Sequence, residues 1–115
     1  MRPEMLYLAD IMEATQAIAE FVQGQDESDF NQDAKTQSAV IQKLIVIGEA
    51  AARLPQDFKD RYPQIEWRDV VAFRNILVHA YFSIKLAIIW RTVQDEVPML
   101  RQKVAEIMEQ ERENS

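Results

Sequence analysis

The chain has 115 residues, 48% of them hydrophobic, and a net charge of −6. That suits one domain over 1–115 with a single core, and it argues against a general nucleic-acid binder, because phosphate neutralisation needs Lys and Arg. With no cysteine and one histidine, disulfides, thiolate metal sites and a His-rich zinc or iron centre within one chain are excluded. No carboxylate pair stands out for Mg²⁺, so neither a metal nor a cofactor is expected. Without a signal peptide or a long charge-free apolar run, the expectation is a soluble cytoplasmic protein with no membrane attachment. Only two glycines and four prolines favour an all-helical chain.

Pro3 suits the first turn of a helix, where its missing N–H costs nothing. Leu8, Ile11, Met12, Thr15, Ile18, Ala19 and Val22 recur at threes and fours, which predicts an amphipathic helix ending at Gly24. Gln25 to Ser28 is polar and predicted as a loop, with Ser28 or Asp29 capping the segment after it and Phe30 as an apolar anchor.

A long helix is predicted from about Asp33 to Leu54, stopped by Pro55. Val40, Leu44, Ile47 and Ala51 form one row, and Ile41, Ile45, Gly48 and Ala52 the next. Two adjacent apolar rows imply neighbours on both sides, hence a central helix. Gly48 inside it costs roughly 1 kcal/mol against Ala, and close approach of another backbone is the expected compensation. Glu49 stands beside that approach, either solvated or orienting a neighbouring cation.

Gln56 to Tyr62 is predicted as a short helix, with Trp67 after it as a buried corner-filler, base stacking being the alternative. In the next helix Val70, Phe73 and Leu77 make the core row, and Tyr81-Phe82-Ser83 reads as the turn out. From Ile84 a stripe of Leu86, Trp90, Val93, Val97, Leu100, Val104 and Ile107 keeps its phase across Pro98. That phase implies one kinked region or two abutting helices. Glu109 to Ser115 is polar and expected to fray.

The polar groups Arg74, Asn75, His79 and Tyr81 interrupt the apolar run Val71 to Phe82, and fold stability gives little reason for them. A guanidinium holds a phosphate and an imidazole moves a proton. The plainer alternative is that Arg and His near a helix end satisfy carbonyls and the helix dipole. Asn75 and His79, four apart, share a helix face. Arg74 and His79, five apart, do not. Either the helix ends near Val78, or the two groups meet across a subunit boundary. From Arg53 to Arg91 seven basic residues face four acidic ones, a net +3, which suits a local phosphate site.

The pattern Arg74-Asn75-x-x-x-His79-x-Tyr81, with Ile47-Gly48-Glu49-Ala50 and Trp67, resembles the HepT-like toxins of the HEPN superfamily over nearly the whole chain. The resemblance implies an all-α, four- to five-helix up-and-down bundle that pairs as a homodimer, its two motifs lining one cleft. It implies a metal-independent endoribonuclease that leaves 2′,3′-cyclic phosphate ends on tRNA or mRNA, the toxin of a type VII-like toxin–antitoxin pair. Arg74 and His79 are then catalytic, with Asn75 fixing the imidazole or a phosphate oxygen and Glu49 a supporting orienter. Tyr81 is the residue to which a minimal nucleotidyltransferase antitoxin transfers AMP. Two positions depart from the pattern: Ser83 and Lys85 stand where a small residue and an acid are expected, and Lys85 alters the charge beside the cleft. The alternative functions are a non-catalytic helical partner of such a nucleotidyltransferase, or a purely structural subunit.

Overall fold

The computed structural model describes residues 2–114, and those residues form helices and turns with no strand among them. Helix α1 (Pro3–Phe21) begins on its proline as predicted and buries Leu8, Ile11, Ala14, Thr15 and Ile18. Gly24 follows at φ +79°, a left-handed turn that other residues rarely adopt.

The loop predicted over Gln25 to Ser28 is shorter than expected: Gln25 and Asp26 are non-helical, and the one-turn helix α2 (Glu27–Asn31) already begins at Glu27. Its cap is Asp26, not Ser28 or Asp29. The Asp29 N–H donates to Asp26 Oδ1 at 2.8 Å and the Asp26 N–H donates to Asp29 Oδ2 at 3.1 Å, so two unpaired donors are satisfied at once. Phe30 does act as the anchor: it is fully buried, its ring 5.3 Å from that of Trp90.

Asp33 caps α3 (Ala34–Arg53) by accepting from the Thr36 N–H. This helix packs against α1 on one side and α5 on the other, the central place its two apolar rows require. Pro55 ends it, and α4 (Gln56–Arg61) buries Phe58. Trp67 is buried at the corner into α5 (Trp67–Ala80), its indole N–H donating to the Tyr62 carbonyl at 3.0 Å.

A 3₁₀ turn, Tyr81–Ser83, leads out of α5 as expected. The last helical region is one continuous rod: α6 (Leu86–Arg91), a π-helical turn (Thr92–Glu96) and α7 (Val97–Glu113), with helical dihedrals at both junctions. The π turn shifts the register so that Pro98 falls in the first turn of α7, where its missing N–H is harmless. Helices α7 and α1 are joined by burial of Val104 and Ile107 and by Arg101, which donates to the Met12 carbonyl and Thr15 Oγ1, both at 3.2 Å.

The expected fraying from Glu109 onward is not what the described residues show; Ser115 lies outside them. Glu111 is only 5% exposed. It accepts from Arg2 at 2.5 Å and from the Tyr62 hydroxyl, with Arg61 at 3.7 Å. Two cations and a phenol drawn from the start of α1 and the end of α4 hold the α7 terminus in place. Burial by itself would push the Glu111 carboxyl up, but the Tyr62 and Arg2 bonds, with the charges behind them, hold it below its ordinary value. A carboxylate depressed in the fold contributes stability that is present above its unfolded value and lost as pH falls through the folded one. Glu111→Gln should therefore cost about 2 kcal/mol at neutral pH. Below about pH 4.5, the ordinary glutamate value, it should lose less further stability than wild type. Urea midpoints across that window test the sign.

Candidate active site

Helix α5 is amphipathic: Val70, Phe73 and Leu77 turn toward α3, while Asn75, Ile76, Val78 and His79 are exposed. The crossing point of α5 over α3 is Gly48. A Cβ built there would overlap the Arg74 Cβ outright, come within 2.6 Å of its Cγ and lie 3.3 Å from the Val70 carbonyl. The close approach expected at Gly48 is thus to the stem of Arg74 as well as to backbone. Glycine at this position makes room for the Cβ and Cγ of Arg74 against α3, and the residue is half-buried there.

At the far end of that stem the Arg74 Nε donates to Asn75 Oδ1 at 2.8 Å. The terminal nitrogens make no bond among the described residues, so the two-pronged end of the guanidinium is open to an anion. Asn75 thus holds Arg74 through its side-chain oxygen, while its amide NH₂ makes no bond among the described residues. Neither His79 nor Glu49 makes a side-chain hydrogen bond or ion pair among the described residues, and both are exposed.

Helix α5 runs through His79 to Ala80, so it does not end near Val78. At 3.6 residues per turn, five residues separate Arg74 and His79 by about 140° around the axis. One copy of α5 presents the cation and the imidazole in different directions. At Ala80 the backbone leaves the helical path (φ −149°, ψ 34°). The 3₁₀ turn beyond it is pinned by the Ser83 hydroxyl donating to the Ala80 carbonyl at 2.7 Å. It carries Tyr81, 61% exposed, and Phe82, 81% exposed.

The electrostatic setting is marked by an absence in the sequence. From Val70 to Gln94 there is no Asp or Glu, while Arg74, Lys85 and Arg91 lie within it. In a chain of net charge −6, this stretch is where a polyanion meets least repulsion. A cleft of about 600 Å³ does open elsewhere, between α3, α5 and the α6–α7 rod. Its exposed acids Glu66, Asp69, Asp95 and Glu96 outnumber its cations Arg91 and Lys103 and would repel a phosphate, and none of Arg74, Asn75, His79 or Tyr81 lines it. The candidate site is therefore the open surface of α5 and its turn, not that cleft. Among the described residues, no group of three or more His, Asp or Glu side chains is arranged to hold a metal ion. No described helix is long and apolar enough to cross a membrane.

A family model described as "Ribonuclease HepT-like" matches residues 11–107. A Thermococcus cleftensis protein named "Probable ribonuclease HepT" is 44% identical over 97 residues, covering 84% of this chain and 88% of that one. A Methanocaldococcus jannaschii protein with a provisional RNase name is 42% identical over 112 residues, or 95% of this chain and 93% of the relative. A similarly named protein of Caldanaerobacter subterraneus is 33% identical over 106 residues, 92% and 95% of the two chains. No solved structure gives a significant match.

Proposed function

This chain belongs to the HepT-like ribonuclease family, and from that premise we propose that it is a metal-independent endoribonuclease whose site is shared between two copies, acting as the toxin of a toxin–antitoxin pair. The observation that carries the shared site is the continuity of α5 through His79. It leaves Arg74 and His79 of one copy pointing apart, while α5 exposes Ile76 and Val78, each 45% accessible, to cover a partner helix. Two α5 helices related by a two-fold axis bring two arginines and two histidines to one phosphate.

In that cleft one His79 takes the proton from the ribose 2′-OH as the 2′-oxygen attacks phosphorus. The bond to the 5′-oxygen breaks, and that oxygen takes its proton from the partner copy's imidazole, leaving a 2′,3′-cyclic phosphate. The free end of Arg74, set by Asn75, stabilises charge on the non-bridging oxygens. Glu49 is exposed one residue from the Arg74 seat and supports the site's electrostatics at most indirectly. The test is subunit mixing: a dimer of one wild-type and one His79→Ala copy keeps a single imidazole and lacks either the base or the acid. Adding excess His79→Ala copies and allowing exchange should therefore drive RNA cleavage far below the share of wild-type copies. Cleavage that stays in proportion to that share would show that each copy acts alone. A fully active monomer by sedimentation would refute the shared site.

Control falls to Tyr81. Its exposed hydroxyl can attack the α-phosphate of ATP held by a nucleotidyltransferase antitoxin, joining AMP to the ring oxygen and releasing pyrophosphate. The added phosphodiester charge and nucleoside would sit beside the RNA phosphate's place and occupy Arg74. Tyr81→Phe should remain toxic but escape neutralisation, and intact-mass analysis should find AMP-sized additions on wild type alone. Additions that persist on the variant would move the site elsewhere.

A further inference from the structure

We propose that Phe82, with Tyr81 beside it, is a stacking platform for an unpaired base next to the scissile phosphate, so that the RNA is cut in single-stranded segments. The inference rests on the ribonuclease reading and adds the substrate class to it. Phe82 is 81% exposed, more than any other large apolar side chain described. Its ring contact is the edge-to-face one with Tyr81, centroids 6.3 Å apart, so the core gains nothing from it. A single exposed apolar residue is ordinary; this one is not isolated. It comes three residues after His79, on a turn pinned by the Ser83 hydroxyl. It also lies within the carboxylate-free stretch, with Lys85 exposed just beyond.

An aromatic face beside a phosphate-binding cation is how proteins hold single-stranded RNA: the cation tracks the backbone and the ring takes the base. Any base has a face to offer, but only when it is out of a helix, since paired bases are already stacked. Trp67, for which base stacking was the alternative role, is buried and committed to Tyr62. An unstacked base also frees its ribose to bring the 2′-oxygen in line with the leaving 5′-oxygen, which a regular duplex forbids.

The experiment uses the full chain carrying His79→Ala, so that RNA is bound and not cut. Fluorescence anisotropy compares a short unstructured oligouridylate with a blunt RNA duplex of equal length. Phe82→Ala and Phe82→Leu should weaken single-strand binding by about five- to a hundredfold, Phe82→Trp should retain it, and duplex binding should not change. Unchanged single-strand affinity in Phe82→Ala, or full affinity in Phe82→Leu, would overturn the platform. So would a fall in sedimenting mass on Phe82→Ala, which would assign the ring to a subunit contact. Single-stranded RNA bound through Phe82 but left uncut by the protein with His79 intact would overturn the ribonuclease reading and leave the platform standing.

Discussion

His79→Ala should abolish RNA cleavage and growth inhibition while the fold is untouched. Positioned acid–base groups contribute about 10²–10⁴-fold each. In a site where the same residue of two copies serves as base and as acid, one substitution removes both roles, so a loss of at least about 10³-fold is expected. Folding should not contribute to that loss. His79 is exposed and makes no side-chain bond among the described residues, so alanine there empties no core space and orphans no buried donor. Circular dichroism and the thermal midpoint should match wild type. Wild-type cleavage should persist in excess EDTA and yield 2′,3′-cyclic phosphate ends. Products with 5′-phosphates, or a variant within about tenfold of wild type, would sink the mechanism.

Gly48→Ala should disable the same chemistry from the opposite helix. The new methyl group would meet the Cβ and Cγ of Arg74. These are not the far end of a flexible chain: the Cβ is fixed to the α5 backbone, so α3 and α5 must part. Overpacking of this kind costs about 1–3 kcal/mol, partly offset by the roughly 1 kcal/mol that alanine gains in helix propensity. The larger effect is on rate, because displacing a catalytic group by about an ångström costs on the order of 10²-fold.

A double-mutant comparison separates the seat from general fragility. In an Arg74→Gly background the obstructing stem is gone and only the Val70 carbonyl, 3.3 Å away, stays tight. Gly48→Ala should then lose most of its cost and come close to neutral, the helix-propensity gain of about 1 kcal/mol offsetting that contact. An equal loss of stability in both backgrounds would show that Arg74 is not the group Gly48 accommodates.

Much of this molecule is decided within single stretches of chain. The apolar stripes at threes and fours, Pro3 and Pro55 at helix ends and the turn at Gly24 act over one or two turns of helix. The boundaries of α1 and α3 and the start of α5 therefore come from local sequence. The spacing of Arg74, His79 and Tyr81 is local in the same sense, which is why it identified the family that the comparisons bear out. Even the close approach at Gly48 was legible, since a glycine inside a long helix needs a reason.

The occupant of that space was not legible, because the stem of Arg74 arrives from a separate helix. Glu111 looks like one more charge in a polar tail until Arg2 and Tyr62 close around it. Asp26 outcompetes Ser28 as a cap because Asp29 reciprocates its bond and Phe30 must reach Trp90. Polarity and periodicity record what each residue prefers in isolation. Which donor meets which acceptor, and whether a helix continues past Val78 to set Arg74 and His79 apart, depends on distant segments that only the packed bundle brings together.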